Sequence, residues 1–298
     1  MRTGSPLDLT SVGSALDLRA TWLAARALGT VSERAAARAV TRLWFTPWPV
    51  PTGDRASARE AAWLESTRPL RVPFAGGDLT GFDAGEGPIV LLVHGWGDRA
   101  SRLGAFVAPL TASGFRAVGL DFPGHGDQPV RRTNMLEFAD ALRATADHLG
   151  DVHAVIAHSI GGATTAIALR DGLSVDRVAL VASAVRLEHA VEKFGPLFRL
   201  PPRATAALRH EIERRFGATV WRDFAADLVA PTFDVPALLV HDRDDDQIAY
   251  ADGASLAGAW PGAELVTTEG FGHHRLLRDP EVITRVVEFV RAPALRPV

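Results

Sequence analysis

Two spacings of apolar residues divide the chain. From about residue 14 to residue 45 the repeat is helical, with Leu16, Ala20, Leu23 and Ala27 on one face. Gly29 is expected to break this stretch into two helices, with Ser32 capping the second. Pro47, Pro49 and Pro51 then end it. Further on the period changes to short apolar runs. "LRVPF" and "LTGFDA" predict two strands around a Gly76–Gly77 turn. "PIVLLVHG", Ala117–Leu120, "DVHAVIAHS", "DRVALVAS", "VPALLVHD" and "AELVTT" predict six more. Helical stretches at about 101–113, 135–149, 161–170, 251–260 and 280–290 lie between and after them. Continuous apolar strands alternating with helices predict an α/β fold, a mostly parallel central sheet flanked by helices.

One segment breaks the alternation. Between about 186 and 231 there is no strand pattern, and three helices are expected, separated by Gly195, Pro201–Pro202 and Gly217. A helical block inserted between two buried strands predicts a lid over the carboxyl ends of the strands, where open α/β sheets bind ligands. The expected organisation is therefore an N-terminal helical extension over 1–65 and an α/β unit over 66–298, with its lid at about 186–231.

Composition narrows the function. The chain has 298 residues, 47% hydrophobic and 22% charged, enough for a large core. A net charge of -3 argues against nucleic acid as a partner. The absence of cysteine removes disulfides, thiolate metal sites and a cysteine nucleophile, and fits a cytoplasmic setting. No apolar run approaches the roughly 18 residues of a membrane span. Arg34, Arg38 and Arg42 form a basic stripe on the second N-terminal helix. Such a stripe is commonly a solvated face, and peripheral contact with an anionic membrane is the sharper alternative. Covering the sheet or pairing two copies into a homodimer are the other roles open to these helices.

Candidate chemistry begins at "VIAHSIGGA". Ser159 falls where a strand stops and a helix starts, with Ala157, Gly161 and Gly162 as small neighbours. A strained strand–turn–helix needs small residues there and lifts a hydroxyl clear of the sheet; the competing reading is a helix N-cap serine. A serine nucleophile needs a base, and the base needs an orienting carboxylate. His273 follows Gly272 in an expected loop after the last strand, with His274 as the alternative. The acid could come from "HDRDDDQ", which carries Asp242, Asp244, Asp245 and Asp246. An EF-hand begun at Asp242 would need Gly and Glu where Gln247 and Gly253 stand, so that calcium site is rejected.

At this point the chain resembles the α/β-hydrolase family. "VHGWG" resembles its oxyanion loop, "DFPGHG" the loop after the next strand, "AHSIGG" its nucleophile elbow and "VHDRDDDQIA" its acid loop, all in the family's order. The likeness runs from about Arg71 to Arg291. Counting from the family's His-Gly pair, here His241–Asp242, selects Asp245 as the acid, with Asp244 the alternative. Asp242 in place of Gly and Ala249 where Pro is frequent are departures from the pattern.

The resemblance implies a serine hydrolase: Ser159 as nucleophile, His273 as base, Asp245 as orienting acid, and the backbone N–H groups of Trp96 and Ile160 as oxyanion donors. It places His94, Gly95 and His158 beside the substrate and needs no metal and no organic cofactor. The expected substrate is a small ester or thioester, with acyl transfer, amide or C–C hydrolysis and an idle binding protein as alternatives. Phe194, Leu197, Phe198, Trp221, Phe224 and Leu228 are the lid residues that could line an acyl pocket, and about half are expected only to pack the lid.

Overall fold

The computed structural model describes residues 33–47, 54–129 and 131–292 together with Leu23; for residues 33–36 and 54–57 this is the backbone alone. The expectations at Leu16, Ala20, Ala27, Gly29, Ser32, Pro49 and Pro51, and for the Arg34 side chain, lie outside what it describes.

Eight strands form one sheet in the order β1-β2-β4-β3-β5-β6-β7-β8. They are β1 (Arg68–Phe74), β2 (Gly77–Ala84), β3 (Ile89–Val93), β4 (Arg116–Leu120), β5 (Val152–His158), β6 (Arg177–Val181), β7 (Ala237–Asp242) and β8 (Glu264–Thr268). β2 runs antiparallel to both β1 and β4, and every other pairing is parallel. β3, β6 and β7 are buried at every position, which is why they read as apolar runs, broken only at their ends by Arg177, His241 and Asp242. Successive residues serve opposite faces: Leu91 and Val155 join one core, Val90, Leu92, Ala154 and Ile156 the other.

The β1–β2 turn differs from the expected Gly76–Gly77. Phe74 pairs with Gly77, so Ala75 and Gly76 are the turn residues, at φ 48° and 82°. A two-residue hairpin turn with positive φ at both central positions matches the strands' twist, and the strain at Ala75 is accepted for it.

The helices bearing on the site are α1 (Glu33–Phe45), α2 (Asp54–Leu64), α3 (Val107–Ala112), α4 (Met135–Leu149) and α5 (Ile160–Arg170). Between β6 and β7 lie α6 (Leu187–Leu197), α7 (Pro202–Phe216), α8 (Val220–Asp223) and α9 (Ala226–Val229). α10 (Tyr250–Ala259), α11 (Gly272–Arg275) and α12 (Pro280–Arg291) complete the set. The helix expected at 101–113 is instead a 3-10 segment, Ala100–Phe106, followed by α3. The third helix expected between β6 and β7 is split into α8 and α9. Its break, at Ala225, is where the chain returns to bridge Arg186.

The N-terminal helices pack on this body. In α1, Val40, Leu43 and Phe45 are buried, Trp44 meets Phe194 edge-on at 5.0 Å and Phe45 meets Phe216 at 6.0 Å. The Thr133 N–H donates to the Phe45 carbonyl at 2.8 Å. In α2, Trp63 lies against Gly104 so closely that a Cβ there would stand 3.0 Å from the Trp63 Cβ. Arg38 and Arg42 are on the exposed side of α1. No helix among the described residues is long and apolar enough to cross a membrane.

Candidate active site

Ser159 stands between β5 and α5 with φ 56° and ψ −126°, a region costly for any residue with a Cβ. The surroundings enforce it. Its N–H donates to Val181, and its carbonyl accepts from Gly162 and Ala184, all at 3.0–3.1 Å. A Cβ on Gly161 would sit 2.7 Å from the His94 carbonyl, and one on Gly162 2.0 Å from Ser183 Oγ. Only glycine lets α5 start this close to β3 and β6. The serine makes no side-chain cap bond; the N-cap reading is therefore replaced by a hydroxyl aimed elsewhere.

That hydroxyl lies 3.0 Å from His273 Nε2, and His273 Nδ1 lies 2.8 Å from Asp245 Oδ2. A carboxylate only accepts, so Nδ1 carries the proton and Nε2 presents a lone pair to the serine. His273 and Asp245 are both buried. The structure thus brings Ser159, His273 and Asp245 into one chain of hydrogen bonds. His273 lies not in the expected loop but within the single turn α11, entered through Gly272 at φ 65°.

Asp245 is held by more than the imidazole. Its Oδ1 accepts the N–H groups of Gln247 and Ile248, each at 2.8 Å, and His241 Nε2 is 3.5 Å from Oδ2. Burial alone would raise its carboxyl; the bonds from His241 and His273 outweigh it and hold the group well below the usual carboxylate range.

The neighbouring aspartates do other work. Asp242 is fully buried and accepts from the Asp244 and Gly272 N–H groups on Oδ1, and from Thr268 Oγ1 and the Phe271 N–H on Oδ2. Asp244 Oδ2 accepts from the Gly270 N–H at 2.8 Å. Asp242 is the residue that sequence reasoning passed over. Its signal was the replacement of the family's glycine by an acid.

Two residues expected beside the substrate are structural by their side chains. The His94 ring is fully buried: its Nδ1–H donates to the Gly95 carbonyl at 2.7 Å, and its Nε2 accepts from Phe122 at 3.1 Å. Desolvation keeps it neutral. His158 is also buried, its Nε2–H donating to the His273 carbonyl at 3.1 Å, which leaves Nδ1 unpartnered. Gly95 does face the serine, since a Cβ on it would stand 3.0 Å from Ser159 Cβ. Trp96 follows in the same loop, its ring 5.0 Å from His125. Ile160 is the first residue of α5, so its N–H has no carbonyl one turn back.

His274 is exposed, and its Nε2 accepts from Gln247 at 3.0 Å. One ring nitrogen each of His158, His273 and His274 lies within 4.8 Å of the others, a metal-like grouping among the described residues. Most of its nitrogens are already engaged in the hydrogen bonds above.

The residues expected to line a lid pocket separate into two sets. Phe194 lies tilted against Phe198 at 4.5 Å, Phe224 meets Phe216, and Trp221 donates to Glu213 at 2.7 Å beneath the Arg209 guanidinium. The first pair packs the end of α6, and the others tie α7 to α8. Leu197 and Leu228, expected as pocket lining, are instead 62% and 52% exposed.

A family model described as "Serine aminopeptidase, S33" matches residues 86–219, a span that contains Trp96 and Ser159 and stops before Asp245 and His273. The dihydrolipoyllysine-residue acetyltransferase component of the acetoin cleaving system of Pseudomonas putida is 35% identical over 124 residues, 39% of this chain and 33% of that protein. A serine hydrolase-like protein of Danio rerio is 32% identical over 100 residues, 31% of this chain and 30% of its own. The chain thus spans about a third of the length of these curated relatives. Among solved structures, a bacterial membrane phospholipase A superposes with a TM-score of 0.61 at 20% identity, covering 80% of this chain and 91% of its own. An esterase from Exiguobacterium antarcticum does so at 0.59 and 16%, covering 76% and 100%. With the strand order and the elbow at Ser159, these likenesses define the class: the chain has the α/β-hydrolase fold.

Proposed function

We propose that the protein is a serine hydrolase that cleaves a carboxylic ester or thioester through an acyl-enzyme. The observation carrying this reading is the hydrogen-bonded series Ser159–His273–Asp245, with the serine at a strained elbow. His273 Nε2 takes the serine proton as Oγ attacks the acyl carbonyl. Asp245, kept ionised, fixes the imidazole tautomer and stabilises the imidazolium. The N–H groups of Trp96 and Ile160 receive the oxyanion; one such donor is worth about 3 kcal/mol in other enzymes. His273 then protonates the leaving group, and water, deprotonated by the same residue, releases the acid.

The esterase names among the relatives support an ester substrate. One of them is a pimeloyl-[acyl-carrier protein] methyl ester esterase of Methylococcus capsulatus, 45% identical over 47 residues, 16% of this chain and 18% of its own. In this reading the chain is a helical extension over 1–65 and a hydrolase unit over 66–298, with the helices of 186–231 as its lid. The test is hydrolysis of a chain-length series of p-nitrophenyl esters by wild type and Ser159→Ala. Turnover lost in a folded variant supports the reading. A folded wild type that neither turns over esters nor takes a fluorophosphonate on Ser159 overturns it.

A further inference from the structure

We propose that Glu60, on the helix upstream of the hydrolase unit, is a positioning residue for the loop that carries the Trp96 oxyanion donor; this rests on the serine-hydrolase reading above. Glu60 is 4% exposed, and a carboxylate so buried is tolerated only when paired. Its partners all come from the segment after the oxyanion loop. Oε2 accepts from Arg99 Nε at 2.8 Å and from Ser101 Oγ at 2.7 Å, while Arg102 stands 3.3 Å from Oε1. Arg102 Nε in turn donates to Asp98 Oδ1 at 2.8 Å, an oxygen that also accepts the Arg99 N–H. The Asp98 N–H closes the turn by donating to the Gly95 carbonyl at 3.2 Å, with Trp96 and Gly97 inside it. The route Glu60–Arg102–Asp98 therefore ends two residues from Trp96.

Charge makes the contact specific. Burial, together with Arg59, Arg102 and Arg275, lowers the pKa of Arg278, and Glu60 opposes them. Glu60 is thus, with Asp98, one of two buried anions at a gathering of guanidinium groups. Ala100, Leu103 and Phe106 pack the segment into the core, but its polar side is open. A cavity of about 510 Å³, lined by Glu60, Arg99, Ser101 and Asp121 among others, opens between α2 and the β1–β2 hairpin. Across it, the Ala100 N–H bond to Asp121 Oδ1, at 2.8 Å, is the second brace. Without Glu60 the segment would keep that brace and the Trp63–Gly104 contact, and lose its charged and hydrogen-bonded tie to α2.

The experiment compares full-length Glu60→Gln with wild type by p-nitrophenyl ester kinetics, by fluorophosphonate counting of reactive Ser159, and by affinity for a trifluoromethyl ketone. The ketone's adduct with a serine places an oxyanion against the same donors. Removing an oxyanion donor outright costs about 10²–10³ in kcat, so a displaced donor should cost less. The expected result is a roughly tenfold lower kcat per reactive serine, KM within about twofold, and ketone affinity falling with kcat. Activity lost only in proportion to reactive serine, or kcat and ketone affinity both unchanged, overturns the proposal. If Glu60→Gln does not fold, Ser101→Ala removes one bond and leaves both arginine pairs. A smaller loss of kcat and ketone affinity at constant KM is expected, and no change in either overturns the proposal. An inert wild type overturns the serine-hydrolase reading itself; an active wild type with unaffected variants overturns this inference alone.

Discussion

Asp242 and Gly272, thirty residues apart in the chain, are joined by a 3.0 Å hydrogen bond from the glycine N–H to the carboxylate. With the bonds from Phe271 and Thr268, Asp242 holds the backbone from which His273 projects. Asp245 meets the imidazole itself. The acidic run that begins at the end of β7 is therefore more than a solvated turn: Asp242 supports the histidine turn and Asp245 hydrogen-bonds the ring.

Substitution by asparagine should separate these roles. Asp245→Asn is expected to leave the fold intact and lower kcat by about 10⁴, because an amide no longer enforces the tautomer. Asp242→Asn loses charge-assisted bonds at a buried site and should destabilise by on the order of 3 kcal/mol. Asp244→Asn touches one exposed loop bond and should stay within about 0.5 kcal/mol and twofold in kcat. Thermal denaturation and ester kinetics on the three variants check the assignment.

The same carboxylates set an acid limit on stability. Burial opposes ionisation of Asp242 and Asp245, but hydrogen bonds prevail and lower both below the ordinary value. Unfolded carboxyls titrate near pH 4 (about 3.9 for Asp). The folded state then binds fewer protons than the unfolded state, so this stabilisation is complete above about pH 4 and is lost as pH falls through the lowered folded values. Calorimetry between about pH 2 and pH 6 should show Tm falling below about pH 4, with a shallower fall in Asp245→Asn.

Backbone strain at Ser159 gives a prediction of opposite sign. Glycine occupies φ 56°, ψ −126° without the steric cost, whereas alanine does not. Ser159→Gly and Ser159→Ala should both be inactive, with the glycine variant more stable by about 1–2 kcal/mol. Equal denaturant midpoints for the two would show that the elbow stores no strain.

Gly162 and Leu43 test the packing around the site and at the N-terminal helix. Gly162→Ala would press a methyl group against Ser183 Oγ, and should cost about 1–3 kcal/mol and much of the activity. Leu43→Ala in α1 removes a fully buried side chain, and should cost about 2–5 kcal/mol. A value near zero for Leu43→Ala would mean that α1 is dispensable to the body it packs on.

The strands were legible because β3, β5, β6 and β7 are nearly all buried and so nearly all apolar. Ser159 was legible because its elbow tolerates only small residues at 157, 161 and 162. Counting from His241–Asp242 pointed to Asp245, which does meet His273, but the roles of Asp242 and Asp244 were not legible, since adjacent residues of one type differ only in which distant N–H groups meet them. His94 and His158 misled for a related reason. A histidine beside a reacting group and a histidine bracing its loop look alike until both ring nitrogens are accounted for. Glu60 was invisible, because nothing local in a charged helix such as "DRASAREAAWL" marks the one carboxylate that turns inward. The packing of α1 on α7 was equally hidden, being a meeting of two amphipathic faces far apart in sequence.

The bond between Ser159 and His273 spans 114 residues. During synthesis the serine emerges before Val181 and Ala184, whose backbone holds the elbow, and well before the imidazole it meets. A nascent or prematurely terminated chain ending before α11 therefore carries an unarmed hydroxyl. Arming comes late, when β7 and β8 have paired and the Asp242 platform can receive the turn. On the serine-hydrolase reading, reactivity toward an acyl group would therefore wait until α11 has been made and docked.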